Sequence, residues 1–156
     1  MSDNIRIWLA VSYAAPFRTG GWTYVRSSGG ASLAGMAGGD RRISQQRLAL
    51  QALLAALKDV PAGSVVELAT ADPLIASVPR VLAPQPGDEP PTEDLDLWAA
   101  ATTAFRERTI RIARQAPAPG KPLAFAAAWA EQARERAKGG PFAFAIPKPN
   151  LAKAGV

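Results

Sequence analysis

Apolar and polar positions alternate from the start of the chain. Ile5, Ile7, Leu9 and Val11 interleave with Arg6, Trp8 and Ala10, a period of two that predicts a strand over residues 4–11. A turn region containing Pro16, Gly20 and Gly21 separates it from residues 22–28, where Trp22, Thr23, Tyr24 and Val25 suit a second strand. Gly29-Gly30 signals a tight hairpin, and residues 31–37, rich in Ala and Gly, are expected to return as a third strand. The period then changes. Leu50, Leu53, Leu54 and Leu57 follow the i, i+3, i+4, i+7 stripe of a core-facing helix, with Ser44 placed to cap its start and Pro61 and Gly63 closing it. Residues 64–70 read as a short buried strand, so the strand–helix–strand order implies a crossover into parallel pairing.

Asp72 is placed to cap a short helix that Pro73 opens and Pro79 ends. Residues 83–92 hold four prolines and read as a solvated, acidic loop. Residues 93–115 predict one long helix, with Trp98, Ala101, Phe105 and Ile112 on one face and Arg108, Arg111 and Arg114 on another. After a Pro/Gly break, residues 121–127 suit a last strand and 128–138 a final helix. The tail, residues 141–156, is expected to be extended or disordered, although the alternation of Phe142, Phe144 and Ile146 suits a strand added to the domain's own sheet or, less simply, to a partner's edge. The expected architecture is one mixed α/β domain over residues 1–140, a five-stranded sheet of three antiparallel and then parallel strands flanked by helices, followed by the tail.

Composition narrows the chemistry. With 156 residues and 48% apolar side chains, the chain suits a single domain. It has neither cysteine nor histidine, which removes thiolate metal sites, disulfides and His-dependent nucleophilic dyads. No apolar run approaches the roughly 20 residues that cross a bilayer, and the first residues, Met-Ser-Asp-Asn, do not resemble a secretory leader, so a cytoplasmic location is expected. The net charge of +5 is uneven. Residues 1–100 carry 8 basic and 10 acidic side chains, residues 101–156 carry 10 and 3. A basic C-terminal third suits a polyanionic partner, or a solvated Arg-rich surface.

Four short motifs occur in order. Ala10-Val11-Ser12 is followed by Gly20-Gly21-Trp22; the first helix opens Ser44-Gln45-Gln46-Arg47-Leu48-Ala49-Leu50; the next strand ends Thr70-Ala71-Asp72; and Asp96-Leu97-Trp98 begins the long helix. Together these resemble ribonuclease H of the type that cuts RNA in RNA–DNA hybrids, over about residues 5–138. The resemblance implies a ribonuclease H-like fold. It also implies a two-metal hydrolytic site held by four carboxylates. The first three carboxylate positions align with Ala10, Ala49 and Ala71, and the fourth with approximately Gln132. A methyl group offers no oxygen to a hard cation, so no metal, no cofactor and no nuclease activity are expected. Asp72 stands one residue away from the third position, where a side chain turns to the other face of a strand, and is better placed as a helix cap.

The same resemblance sets Gln45 and Gln46 where the family uses two asparagines in the minor groove. Arg41, Arg42, Ser44 and Arg47 surround them, and Arg108, Arg111 and Arg114 would form a ridge on the long helix. These are the candidate nucleic-acid contacts, for an RNA–DNA hybrid or another structured duplex. A solvated, capped helix start and an ordinary solvated helix face are the plainer alternatives, while Trp22, Trp98 and Phe105 suit the core and Trp8 is open. The acidic 83–92 loop stands where the family often has a basic one, which would weaken binding. Two function classes follow: a non-catalytic nucleic-acid-binding domain, and a protein-interaction module docking through residues 83–92 or 141–156. An active enzyme with a non-standard metal site is a third. Nothing in the sequence indicates an oligomeric state.

Overall fold

In a computed structural model, which describes residues 4–29 and 32–156, the alternating N-terminal segment forms β1 (Asn4–Ala14). A 3-10 turn (Ala15–Phe17) leads to β2 (Thr19–Ser27), which pairs antiparallel with both β1 and β3 (Leu33–Arg41). Ser28 and Ser32 close the hairpin on either side through backbone bonds; Gly30 and Ala31, within the predicted turn and third strand, lie outside the described residues, as do residues 1–3. Then follow α1 (Gln45–Leu57), β4 (Val65–Thr70), α2 (Pro73–Leu82) and α3 (Leu95–Glu107). The chain continues with β5 (Thr109–Arg114), α4 (Pro122–Arg136), β6 (Phe142–Ala145) and a short α5 (Lys148–Leu151). The six strands form one mixed sheet in the order β5-β4-β1-β2-β3-β6, with β1, β4 and β5 parallel.

Two expectations are corrected, and the tail is decided in favour of a strand. The predicted helix over 93–115 ends at Glu107. Arg108 is extended (φ −137°, ψ 158°), and Thr109, Ile110 and Ile112 continue as β5, with half-buried Ile110 and Ile112 alternating with exposed Thr109, Arg111 and Ala113. β-Branched side chains lose rotamer freedom in a helix and pack well on a pleated surface, and pairing with β4 decides the outcome. Residues 121–127 are the start of α4, not a strand. Pro122 suits the first helical position, where no N–H is needed, and the alanines after it are strong helix formers. The sheet has six strands rather than five, and the sixth is the strand that the alternation of Phe142, Phe144 and Ile146 suits, added to the domain's own sheet by a folded tail. β6 pairs with the edge of β3, and the Ile146 N–H donates to the Gly35 carbonyl at 2.9 Å.

The sheet is covered on both faces. On one, α1, α2 and α3 pack Leu48, Leu50, Leu53, Ile75, Val78 and Trp98 against Ile5, Ile7, Leu9, Val66 and Leu68. Each of the fully buried leucines of α1 contributes about 1.5–3 kcal/mol. On the other face α4 lies very close to the sheet. Ala126, Ala130, Ala133 and Ala137 repeat at helical spacing and are all buried. Opposite them are Ala10, Gly21 and Gly39; a Cβ on Gly21 would collide with the α4 backbone at Arg134 and Ala130. The tail finishes this layer, with Ile146, Leu151 and Ala154 joining Leu123 over Trp8, Val25 and Ala69.

Candidate functional site

The ends of β1, β3 and β4 and the start of α1 meet along one side of the sheet. Ala10 follows Leu9, which pairs with Thr70 of β4, so Ala10 and Ala71 stand one step beyond the same register pair. Ala10 is 8% exposed and packs against Ala126 and Ala130 of α4. Ala49 is fully buried in the cluster that holds Leu9, on the opposite face of the sheet from Ala10, because successive strand side chains alternate. Ala71 is exposed. Gln132 is not beside Ala10. It is exposed and lines a small cavity of about 150 Å3 with Trp129, Phe142 and Phe144 near β6. The α4 residues that face Ala10 are Ala126 and Ala130, six and two residues before Gln132. The signal that would have placed them is the alanine stripe itself, hidden because the start of α4 reads as a strand.

None of the three alanines carries an oxygen donor on its side chain, and Gln132, whose amide has one, is exposed and lies with Trp129, Phe142 and Phe144. Among the described residues no group of three or more Asp, Glu, His or Cys is assembled to hold a metal. The side-chain donors needed for hard divalent cations are therefore missing at the three alanine positions. Asp72 is a cap: its Oδ1 accepts from the Leu74 N–H at 2.9 Å and from the Ile75 N–H at 3.0 Å. The group nearest in sequence to Ala10 on the same strand face is Ser12, whose hydroxyl accepts from the Arg134 guanidinium at 2.9 Å.

At the start of α1, Ser44 caps the helix by accepting from the Arg47 N–H at 3.1 Å. Gln46 and Arg47 are taken up by the start of α3. The Gln46 amide donates to Asp94 at 3.1 Å, and the Arg47 guanidinium donates to Asp94 at 3.1 Å and to Asp96 at 3.1 and 2.9 Å. This holds the Asp96 carboxyl below the usual carboxylate range and strengthens the protonation of Arg47, in each case mainly through the guanidinium–carboxylate hydrogen bonds. Arg41, Arg42 and Gln45 are exposed; one Arg41 Nη donates to the Lys138 carbonyl at 3.3 Å.

The predicted arginine ridge does not exist as a surface stripe. Arg108 turns inward, donating to the Val60 carbonyl at 2.9 and 2.6 Å and to the Ala104 carbonyl at 3.2 Å. Arg111 and Arg114 lie on β5, three residues apart and so on opposite faces. The 83–92 loop is pinned rather than free: Arg80 forks onto Asp88 at 3.1 and 2.9 Å, which together with the Gln85 N–H pulls the Asp88 carboxyl down to about 2. Of the aromatic residues, Trp22 and Trp98 are core, Phe105 packs partly buried against that core, and Trp8 is buried under the tail with Arg6 stacked 4.7 Å from its ring.

No protein-family model matches this chain, and no curated protein does. Solved structures do. The chain is similar to the N-terminal RNase H domain of a Mycobacterium tuberculosis protein, solved as a fusion with maltose-binding protein. The TM-score is 0.66 and the identity 15%, over 88% of this chain and 98% of that one. It is also similar to LC9-RNase H1, described as a type 1 RNase H with the type 2 active-site motif, with TM-score 0.63, 15% identity, and 99% and 86% coverage. A third is LC11-RNase H1 in complex with an RNA/DNA hybrid, with TM-score 0.64, 16% identity, and 86% and 99% coverage. At this identity what is shared is the fold: the chain has the ribonuclease H-like architecture, a mixed sheet with helices on both faces. No helix among the described residues is long and apolar enough to cross a membrane.

Proposed function

We propose that this domain binds duplex nucleic acid weakly and does not cut it. The observation that carries the second half is the packing of Ala10 against Ala126 and Ala130, with Ala49 and Ala71 at the other aligned positions. Methyl groups stand where cation-binding oxygens would be needed, and α4 sits too close to the sheet at Gly21 to leave room for ions beneath it. The two-metal chemistry implied by the fold does not fit these residues, and no step is assigned to it.

Nucleic-acid binding is supported by the shared fold, since one similar domain is solved with an RNA/DNA hybrid. Arg41, Arg42 and Gln45 supply exposed cations and an amide beside the β3–α1 junction. Arg47 and Gln46 serve α3 instead, and Arg108 serves the core, so fewer phosphate contacts remain than the sequence alone suggests. Affinity should be about micromolar or weaker and fall steeply with salt. Fluorescence anisotropy with a labelled RNA–DNA hybrid tests this. Absence of binding to any duplex at low salt overturns the binding half, and Mg²⁺- or Mn²⁺-dependent cleavage of the hybrid overturns the other.

A further inference from the structure

On the premise that the domain binds nucleic acid, we infer that Phe17 is a stacking platform for an unpaired nucleobase. The ring is 69% exposed, the most exposed large apolar side chain among the described residues, and joins none of the hydrophobic clusters. Nothing in the fold needs it there. Yet its backbone is held on every side. The Arg18 N–H closes the 3-10 turn onto the Ala15 carbonyl at 3.2 Å, and the Thr19 hydroxyl donates to the Phe17 carbonyl at 3.0 Å. The Ile43 N–H donates to the Arg18 carbonyl at 3.1 Å, which ties the turn to the β3–α1 junction. Arg18 itself sits in the left-handed region (φ 49°), a conformation that a non-glycine residue keeps only when its surroundings fix it. A rigidly presented ring loses little freedom on binding.

Cations lie near it. Lys138 Nζ lies 5.9 Å from the ring centroid, Arg41 reaches across to the Lys138 carbonyl, and exposed Arg18 follows Phe17 in the turn. Two carboxylates are close: Asp40 accepts from the Arg41 backbone N–H at 2.8 Å, and Glu135 pairs with Lys138 at 2.7 Å, which offsets the charge of that lysine and leaves Arg18 and Arg41 as the cations for phosphate. A flat apolar face beside positive charge suits a ligand that joins a flat π face to phosphate, which is a nucleotide in a single-stranded stretch. A bilayer would call for several inserting side chains, and a base paired within a duplex hides both faces in its stack. The nucleic acid recognised here is therefore a duplex carrying an overhang or a splayed base, with the unpaired base on Phe17 and its phosphates on Arg18 and Arg41.

The test compares a blunt RNA–DNA hybrid with the same hybrid bearing a single-stranded DNA overhang, by anisotropy, for the parent chain, Phe17→Ala and Phe17→Trp. The parent should prefer the overhang. Phe17→Ala should weaken overhang binding by about fivefold or more and leave the blunt hybrid unchanged, with an unaltered thermal melt; Phe17→Trp should keep the preference. Equal affinity of parent and Phe17→Ala for the overhang, or an equal loss on both probes, overturns the platform while leaving duplex binding standing. Phe17-dependent binding to a single strand with none to the blunt hybrid supports the platform and overturns the duplex reading. Phe17-dependent binding to phosphatidylserine vesicles, with none to either oligonucleotide, overturns both.

Discussion

A carboxylate placed at residue 10 would point at two fully buried alanines of α4, while Arg134, the cation on that strand face, is bonded to Ser12. Burying an unpaired charge costs several kcal/mol. Ala10→Asp should therefore lower unfolding stability by about 3 kcal/mol or more, read as a drop in the urea midpoint; a variant as stable as the parent would show that the alanine contact is open enough to admit an ion. Arg47 poses the opposite case, a charged residue whose worth is internal. Arg47→Ala should cost about 1 kcal/mol, since the pair with Asp96 is exposed and screened while Asp94 is largely buried, and change hybrid affinity less than twofold. A large loss of affinity with no loss of stability would return Arg47 to the binding surface. The two caps, Ser44 and Asp72, were legible in the sequence because a cap is a contact over two or three residues. The fate of Gln46 and Arg47 was not, because their partners Asp94 and Asp96 lie nearly fifty residues away and only the fold brings them together.

At the scale of elements, the errors have one physical source. Residues 93–115 carry apolar side chains at spacings that satisfy a helix, and the switch to period two at Ile110 and Ile112 occupies too few residues to outweigh it. Parallel pairing with β4, a long-range contact, makes the decision. Residues 121–127 fail in the reverse direction, because an alanine-rich segment has weak hydrophobic contrast and its helical stripe is visible only once the facing glycines are known. The β1–β2 and α1 elements were legible because their patterns are long and strongly contrasted. The glycines that permit the α4 contact make a sharp test. Gly21→Ala forces a Cβ into the backbone of α4 and should cost at least about 2 kcal/mol by overpacking. Gly63→Ala meets nothing within 4 Å but sits at φ +85°, so it should cost only about 1 kcal/mol, from backbone strain. Chemical denaturation of the two variants checks the order; a smaller loss at Gly21 would mean that α4 stands further from the sheet.

For the whole molecule, charge and tail set the response to conditions. Asp88, Asp96 and Glu135 are each held below their ordinary titration range by Arg80, Arg47 and Lys138 respectively. In acid the unfolded chain therefore takes up protons first, so stability rises with pH through this window. It should be fully present above about pH 5 and decline as the pH falls through 4 toward about 2, where Asp88 titrates in the folded state. These pairs are solvent-facing, so added salt should shrink the decline; urea midpoints that do not move between neutral and acid solution would remove the pairs from the account. The tail carries more. Ile146, Leu151 and Ala154 are buried, and with β6 they cover both the edge of β3 and the face that holds Trp8, Val25 and Ala69. Two large apolar side chains at about 1.5–3 kcal/mol each, plus the lost strand pairing, approach the 5–15 kcal/mol that typically holds a domain together. Deleting residues 141–156 should therefore abolish cooperative melting, or lower its midpoint by about 15 °C or more, and expose Trp8 to fluorescence quenchers. A truncated chain that melts within a few degrees of the parent would make the tail a separable segment, free to dock elsewhere, and would revive the protein-interaction reading that its burial now opposes.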